Sequence, residues 1–341
     1  MSTLPLPPLR HDLLTGIDVG GTKVDVVDTA TSTIRRYATA DYSSLPAMLE
    51  AYFGEVGARP AAIAVGMAGP RDDDTGEIKL TNLHWPPFDP SEAGKLYGIK
   101  FLTANDMVVT TAGVLDAATV DTAPLKPGTP ARTGTKLVVT ISTGIGVAAA
   151  AWDARAGRYV IIPGEGGHIG FQPKTAEESA YLAYLHAKYP HASAELALGG
   201  KHGIGNLVDH VLVSSSARKL SEAVAAARAT GRPLGGVLLA FVAEGEGADR
   251  SAAEQILQRM GAMIGSVLRD LAVAYMATGG IYLTGSIALT MGEYLAEHTA
   301  LRDRFVRPGA AHDNRLEHVP ISLLTDPHIA ARGALALAKE L

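Results

Sequence analysis

The chain has 341 residues, no cysteine, and 30 Lys and Arg against 35 Asp and Glu, for a formal net charge of −5. That length suits two domains of roughly 100–200 residues each, and the charge balance leaves no basic footprint for nucleic acid or an anionic membrane. The lack of thiols removes disulfides, thiolate zinc sites and cysteine nucleophiles together and is compatible with a reducing compartment, so the totals favour work on a small molecule.

The opening "MSTLPLPPLRHD" lacks the apolar stretch of a signal peptide, and no later run reaches about 18 uninterrupted apolar residues. A soluble cytoplasmic protein is expected. Residues 13–39 read as an antiparallel meander, short β-rich runs broken by Gly-Gly and by a Thr/Ser turn. Residues 45–57 look helical, "AAIAVGMAG" (61–69) reads as a buried strand, and "IKFLTAND" (99–106) as a strand leading into a helix from Met107. This alternation argues for α/β. A second meander begins at Lys136 and weakly echoes residues 13–28, which suggests a duplicated strand-turn-strand unit with a domain boundary near residue 108. Residues 217–280 are Ala-rich and helical. Ser251 and Glu254 are spaced as a capping box before a stripe of Ile256, Met260, Met263, Val267 and Leu271, and Gly279 and Gly280 are expected to stop the helix. "IYLTGSIA" (281–288) follows as a strand and turn, and the last helix is expected to take Asp326 as N-cap and Pro327 at its first position.

Four loops carry candidate chemistry. "GIDVGGTK" (16–23) is not a Walker loop, because Thr22 precedes Lys23 and a strand follows, and no G-x-G-x-x-G occurs in the chain. It is either a plain hairpin turn, or a turn whose N–H groups and Thr22 hydroxyl face an anion while Asp18 holds the hydration shell of Mg²⁺. "TISTGIGVA" (140–148) offers Ser142, Thr143, Gly144 and Gly146 in the same two senses. In "LTAND" (102–106), Asp106 suits either a base that accepts a substrate hydroxyl proton, with Asn105 orienting the substrate, or the N-cap of the next helix. "IIPGEGGHIG" (161–170), together with "HASAELALGG" (191–200), sets Glu165, His168 and Glu195 in a pattern that suits sugar hydroxyls, with glycines letting a ring come close. The rivals are a structural histidine and a zinc site using His168, His186 and His191; against zinc, Pro190 breaks any helix carrying the last two.

Taken in this order, "DVGGT", "TNLHW", "AND", "STGIGV", "PGEGGH", "SAELALGG" and "LTGSIA" resemble the actin-like sugar kinases, most closely the bacterial-type glucokinases, along nearly the whole chain. The resemblance implies two actin-like (ribonuclease H-like) α/β domains with a substrate cleft between them. The small domain would be residues 1–108 plus about 325–341, and the large one 109–324. It implies ATP- and Mg²⁺-dependent phosphorylation of the 6-hydroxyl of glucose with Asp106 as catalytic base. Asn105, Glu165, His168 and Glu195 would be hexose ligands. Asp18, Gly20, Gly21, Thr22, Thr143 and Gly144 would form the phosphate and Mg²⁺ loops, with Asp18 reaching the metal through water, and Gly285 and Ser286 the adenosine-side turn. A homodimer acting on glucose or a similar hexose, with no nucleic-acid or membrane partner, is expected. Three positions depart from the pattern. Lys23 stands where close glucokinases have Asn and makes the loop more typical of the related ROK family of kinases and repressors, while Ser142 and Ser286 each replace a glycine. The ROK cysteine-rich zinc motif and any DNA-binding extension ahead of residue 13 are missing, which argues against a repressor. The alternatives are a kinase for mannose or fructose, and a non-catalytic sugar sensor; Asp106 with both phosphate turns argues against the sensor.

Overall fold

The computed structural model describes residues 6–341 except 70, 73, 81–82, 117–119, 308 and 310–312, so Thr81 and Asn82 of the "TNLHW" motif lie outside the described residues. Two compact units form, Met1–Val120 with Asp326–Leu341, and Asp121–Thr325. The boundary falls after Val120 rather than near residue 108, because the helix Asp106–Asp116 packs on the C-terminal helix Ile329–Ala338 and belongs with it. No helix among the described residues is long and apolar enough to cross a membrane.

In the first unit, strands β1 (Leu9–Val19), β2 (Lys23–Asp28), β3 (Arg35–Ala38), β4 (Arg59–Met67) and β5 (Lys100–Asn105) pair in the order β3-β2-β1-β4-β5. β1, β2 and β3 are the expected antiparallel meander, while β4 and β5 run parallel to β1. Against one face lies the helix Leu45–Val56, capped by Ser44 and ended by left-handed Gly57, which buries Met48, Leu49, Tyr52 and Phe53 over Ile17, Val24 and Val65. The other face is lined by small residues, Ala64 and Ala104, beneath Val109, Ala334 and Ala338. The helices come so close here that a Cβ on Gly333 would strike the Val109 carbonyl, one on Gly113 the Ile329 carbonyl, and one on Gly16 of β1 the backbone of Ala331 and Leu335. The expected N-cap of the C-terminal helix shifts by two residues. His328 occupies that position, and the Asp326 carboxylate instead accepts the His328 N–H at 2.8 Å, as an Asp-led turn does.

In the second unit, β6 (Thr122–Lys126), β7 (Lys136–Ile141), β8 (Ile145–Asp153), β9 (Arg158–Gly164), β10 (Ile281–Thr284) and β11 (Ile321–Leu324) pair in the order β6-β11-β10-β7-β8-β9. Leaving aside β6, this is the order of the first sheet: an antiparallel three-strand meander, then two strands parallel to its first member. The echo heard in the sequence is thus a repeated topology. Residues 217–280 form three helices, Arg218–Thr230, Leu234–Glu244 and Gly247–Tyr275. The capping box is not formed: the last helix already starts at Gly247, which leaves Ser251 inside it, and Glu254 accepts from Arg250 Nε one turn back at 2.8 Å. That helix also ends earlier than Gly279, at Met276 in a left-handed conformation, where the Ala277 N–H closes back on the Ala272 carbonyl.

Gly333→Ala is expected to destabilise the first unit by up to about 2 kcal/mol net, because the new Cβ meets backbone, overpacking costs about 1–3 kcal/mol, and the gain in helix propensity is only about 1 kcal/mol. Gly54→Ala, at an exposed helical position with nothing within 4 Å of the new Cβ, is expected to stabilise by up to about 1 kcal/mol. Urea unfolding of the two variants checks both signs.

Candidate active site

In the first unit, the carboxyl ends of parallel β1, β4 and β5 lie side by side at Val19, Met67 and Asn105, the edge at which open α/β sheets take ligands. The turn joining β1 to β2 is held by its own carbonyls: Gly20 N–H donates to Lys23 O at 2.9 Å, Thr39 N–H to Thr22 O at 3.1 Å, and the Thr39 hydroxyl to Gly21 O at 3.1 Å. Gly21 and Thr22 are exposed, and no hydrogen bond among the described residues uses their N–H groups. Such a turn suits an anion. Across β5, the Met107 N–H donates to both Asn105 Oδ1 (2.8 Å) and Asp106 Oδ1 (2.9 Å). The cap reading of Asp106 is thus corrected: Asp106 is the first residue of the helix, and Asn105 ahead of it takes the N-cap role by accepting the N–H two residues on. Asn105 spends its oxygen on the helix start and keeps its amide NH₂ as a donor.

Charge in this corner is uneven. Asp18 and Asp25 are direct cross-strand neighbours. Asp25 is buried, and burial alone would raise its pKa. Arg36 (2.6 and 3.0 Å), Lys23 (3.0 Å) and His328 (3.1 Å) outweigh that and hold it at about 2. Asp18 has no such set. Burial first, then the charges of Asp106 and Asp25, push its pKa up to about 7 against a partial opposing pull from Lys23. Lys23 thus has a structural account as a partner of Asp25.

In the second unit, "PGEGGHIG" leaves β9, makes a short 3₁₀ turn over Gly166–His168, and exposes the side chains of Glu165 and His168, whose nearest charged atoms are 3.9 Å apart. The glycines do not make room for a sugar: a Cβ on Gly166 would meet Val147 and Leu271, and one on Gly167 the Ile145 carbonyl. They let the loop press onto β8. The loop is then stitched to the segment bearing Glu195. Ala194 N–H donates to Ile169 O (2.9 Å), Phe171 N–H to Ala192 O (2.8 Å), and His191 Nε2 lies 3.2 Å from His168 O. His191, a zinc candidate on paper, braces His168 through its backbone.

Glu195, on the short helix Ala194–Leu198, accepts the Ile145 N–H at 3.0 Å through Oε2, a charge-assisted bond worth about 1.5–3 kcal/mol. Its carboxylate leaves no room for a side chain at Gly144. Downstream, Gly200 N–H donates to Ser142 O (2.6 Å) and Lys201 N–H to Thr143 O (2.9 Å), so residues 195–201 strap the turn at 142–144. Gly285, at φ 98°, fits against the Ile141 carbonyl, and Ser286 opens the helix Ser286–Thr290. The second unit thus gathers Thr143, Gly144, Glu165, His168, Glu195, Gly285 and Ser286 at one end of its sheet. The role of Ile145 and the bracing by His191 are invisible in the sequence, since both join segments far apart in the chain.

The sequence profile of the glucokinase family matches residues 14–341. A glucokinase from Nitrobacter hamburgensis is 31% identical over 328 residues, covering 95% of this chain and 96% of that one. The chain belongs to the glucokinase family. The reaction of the glucokinase family is ATP-dependent phosphorylation of glucose, a hexokinase-type phosphotransfer. The fold agrees: a glucokinase crystal structure from an Antarctic psychrotroph superposes with a TM-score of 0.76 at 24% identity, over 97% of this chain and 100% of that one. A ROK family glucokinase from Streptomyces griseus, crystallised with glucose and AMPPNP, gives 0.57 at 16% identity, over 96% and 100%. Both sheets are therefore those of the actin-like sugar-kinase fold.

The raised Asp18 pKa has a sign. Between the unfolded carboxyl value near 4 and about 7, the folded chain holds a proton that the unfolded chain releases, so stability falls as pH rises through that window. Asp18→Asn is expected to melt higher than the parent at pH 8 in metal-free buffer, with the advantage shrinking as pH falls and gone near pH 4. Thermal melts across that range check it.

Proposed function

We propose that Asp106 accepts the proton of the glucose 6-hydroxyl as that oxygen attacks the γ-phosphorus of ATP, forming glucose 6-phosphate and releasing ADP. The observation that carries this reading is the placement of Asp106 at the first residue of a helix, directly after β5 and electrostatically coupled to Asp18 at the end of β1. Asn105 donates its amide to the sugar, and Glu165, His168 and Glu195 take the remaining hydroxyls, with Oε1 of Glu195 available because Oε2 holds Ile145. Gly21 and Thr22, in the turn that the Gly20 N–H closes, and Thr143 and Gly144 supply N–H groups and hydroxyls to the phosphates, while Gly285 and Ser286 form the adenosine-side turn.

The residues present fit Mg²⁺. Among the described residues, no three His, Asp or Glu side chains come together to cage a metal. Magnesium is ordinarily held by one or two carboxylates with waters and substrate phosphates, and Asp18 is a carboxylate lacking a cation partner of the kind Asp25 has. Asp18 would hold the hydrated ion, which neutralises phosphate charge when bound. Phosphoryl transfer otherwise asks the chain for positioning and charge stabilisation, both supplied by fixed turns and helix starts rather than by a covalent step.

Asp106→Ala is expected to lower turnover by about 10²–10⁴-fold while retaining glucose binding, since a positioned base contributes about that factor. Glucose-dependent ADP formation and calorimetric glucose affinity, measured side by side, check it; near-normal turnover would remove Asp106 from its role. The same ADP assay run with mannose and fructose tests the sugar, with kcat/KM expected to be highest for glucose.

A further inference from the structure

We propose that the second unit carries a separate binding site for a small phosphate monoester, lodged between the start of the helix Ala176–His186 and the long helix Gly247–Tyr275, from which it acts on the sugar-binding segments. The site is a cavity of about 290 Å³ lined by Leu207 and Met263 and by polar side chains. Its decisive feature is an imbalance between two arginines. Arg304 is satisfied: Nη2 pairs with Glu178 Oε1 at 2.8 Å, and the Glu178 side chain is only 7% exposed. The other Glu178 oxygen accepts the Lys174 N–H at 2.6 Å, so both oxygens of that carboxylate have a partner. Arg259, partly buried in the same cavity, makes no hydrogen bond or ion pair with any described residue. Glu177 is engaged elsewhere, by its own N–H and the Thr175 hydroxyl, and these hold its pKa down ahead of the arginines' charge. The field of Arg259 reaches Glu177, where it adds to that lowering, and also His210, whose pKa is lowered first by burial and then by that charge.

A half-buried guanidinium lining a ligand-sized cavity calls for an oxyanion, and a phosphate offers several oxygens to one fork. Gln255 and Gln258, on the same face of the long helix, add amide donors. Thr175 and Glu177 suit hydroxyls on the organic part.

Two residues of the cavity are hydrogen-bonded to the segments that carry the candidate sugar residues. The Tyr181 hydroxyl, in the wall, donates to Ala197 O (3.1 Å), on the helix that carries Glu195, and lies 3.3 Å from Gly203 O. Lys174, bound to Glu178, ends the segment that continues from Glu165 and His168. A ligand here loads both segments at once. This coupling rests on the sugar roles proposed above; the anion site itself does not.

Calorimetric titration with glycerol 3-phosphate, inorganic phosphate and glycerate tests the site on the full chain, with Arg259→Gln as the variant. Glycerol 3-phosphate is expected to bind the parent and to bind R259Q at least about tenfold more weakly, with glycerate binding neither. Saturating glycerol 3-phosphate is expected to change the parent's glucose affinity at least about twofold and that of R259Q not at all, while R259Q keeps its basal ADP formation. Equal affinity of parent and R259Q for the phosphate ester, no binding of either phosphate, or binding of glycerate alone overturns the site. Binding without any change in glucose affinity overturns its regulatory half. Failure of the parent to form ADP with glucose would sink the catalytic reading, and the titrations would still decide this one.

Discussion

The close seating of the C-terminal helix against β1 and the helix Asp106–Asp116 governs the first unit. Three glycines allow it, one in each element: Gly16, Gly113 and Gly333, each with backbone where a Cβ would be. Gly16 lies two residues before Asp18, and Gly113 is on the helix that Asp106 opens. The same contact that closes this side of the sheet therefore fixes the two carboxylates relative to each other. Helices separated by an alanine's width more would shift the start of the helix, and with it Asp106. Close packing of small residues, rather than a large apolar core, is what makes the geometry definite on this face.

Upon that frame the chain distributes charge unequally. Two aspartates sit directly across from each other on β1 and β2, an arrangement that is repulsive unless compensated. Asp25 receives Arg36, Lys23 and His328, and His328 comes from the segment leading into the C-terminal helix, so neutralising Asp25 also ties down that segment. Asp18 receives almost nothing and is left with an elevated pKa beside Asp106. Folded proteins keep such uncompensated groups mainly where function uses them. The departure at Lys23 belongs to this scheme, because its ammonium is spent largely on Asp25 rather than on the turn it follows.

Legibility in the sequence tracked the range of the interactions. The meanders, β4, β5 and the helix at 45–56 were readable because alternation, Gly punctuation and a Ser cap are local signals. The capping box at Ser251 misled for the same reason: the local pattern was present, but the helix had already begun at Gly247, two residues beyond Gly245, which ends its predecessor. The candidate residues Asp18, Glu165, His168 and Glu195 stood out as polar groups in or beside glycine-rich loops, and Asp106 as a carboxylate at a strand end. What those glycines do was not readable. Gly166 and Gly167 answer to Val147 and Ile145, some twenty residues away in the chain, and Gly144 answers to Glu195, fifty residues on.

Glu195 shows why the second unit cannot be divided into independent sites. One carboxylate oxygen caps the backbone of Ile145, immediately after the turn proposed for phosphate, and the other is the one proposed to take a sugar hydroxyl. The segment that follows it returns two N–H groups to the carbonyls of Ser142 and Thr143. A carboxylate so constrained has lost much of its rotamer freedom before any ligand arrives, so its hydrogen bond to a sugar costs less entropy to form. The same bonds mean that a sugar pulling on Glu195 also pulls on the Ile145 amide, and through it on the turn. Under the proposed roles, acceptor and donor contacts in this unit share a single hydrogen-bonded strap, residues 195–201, and a change at either end is felt at the other.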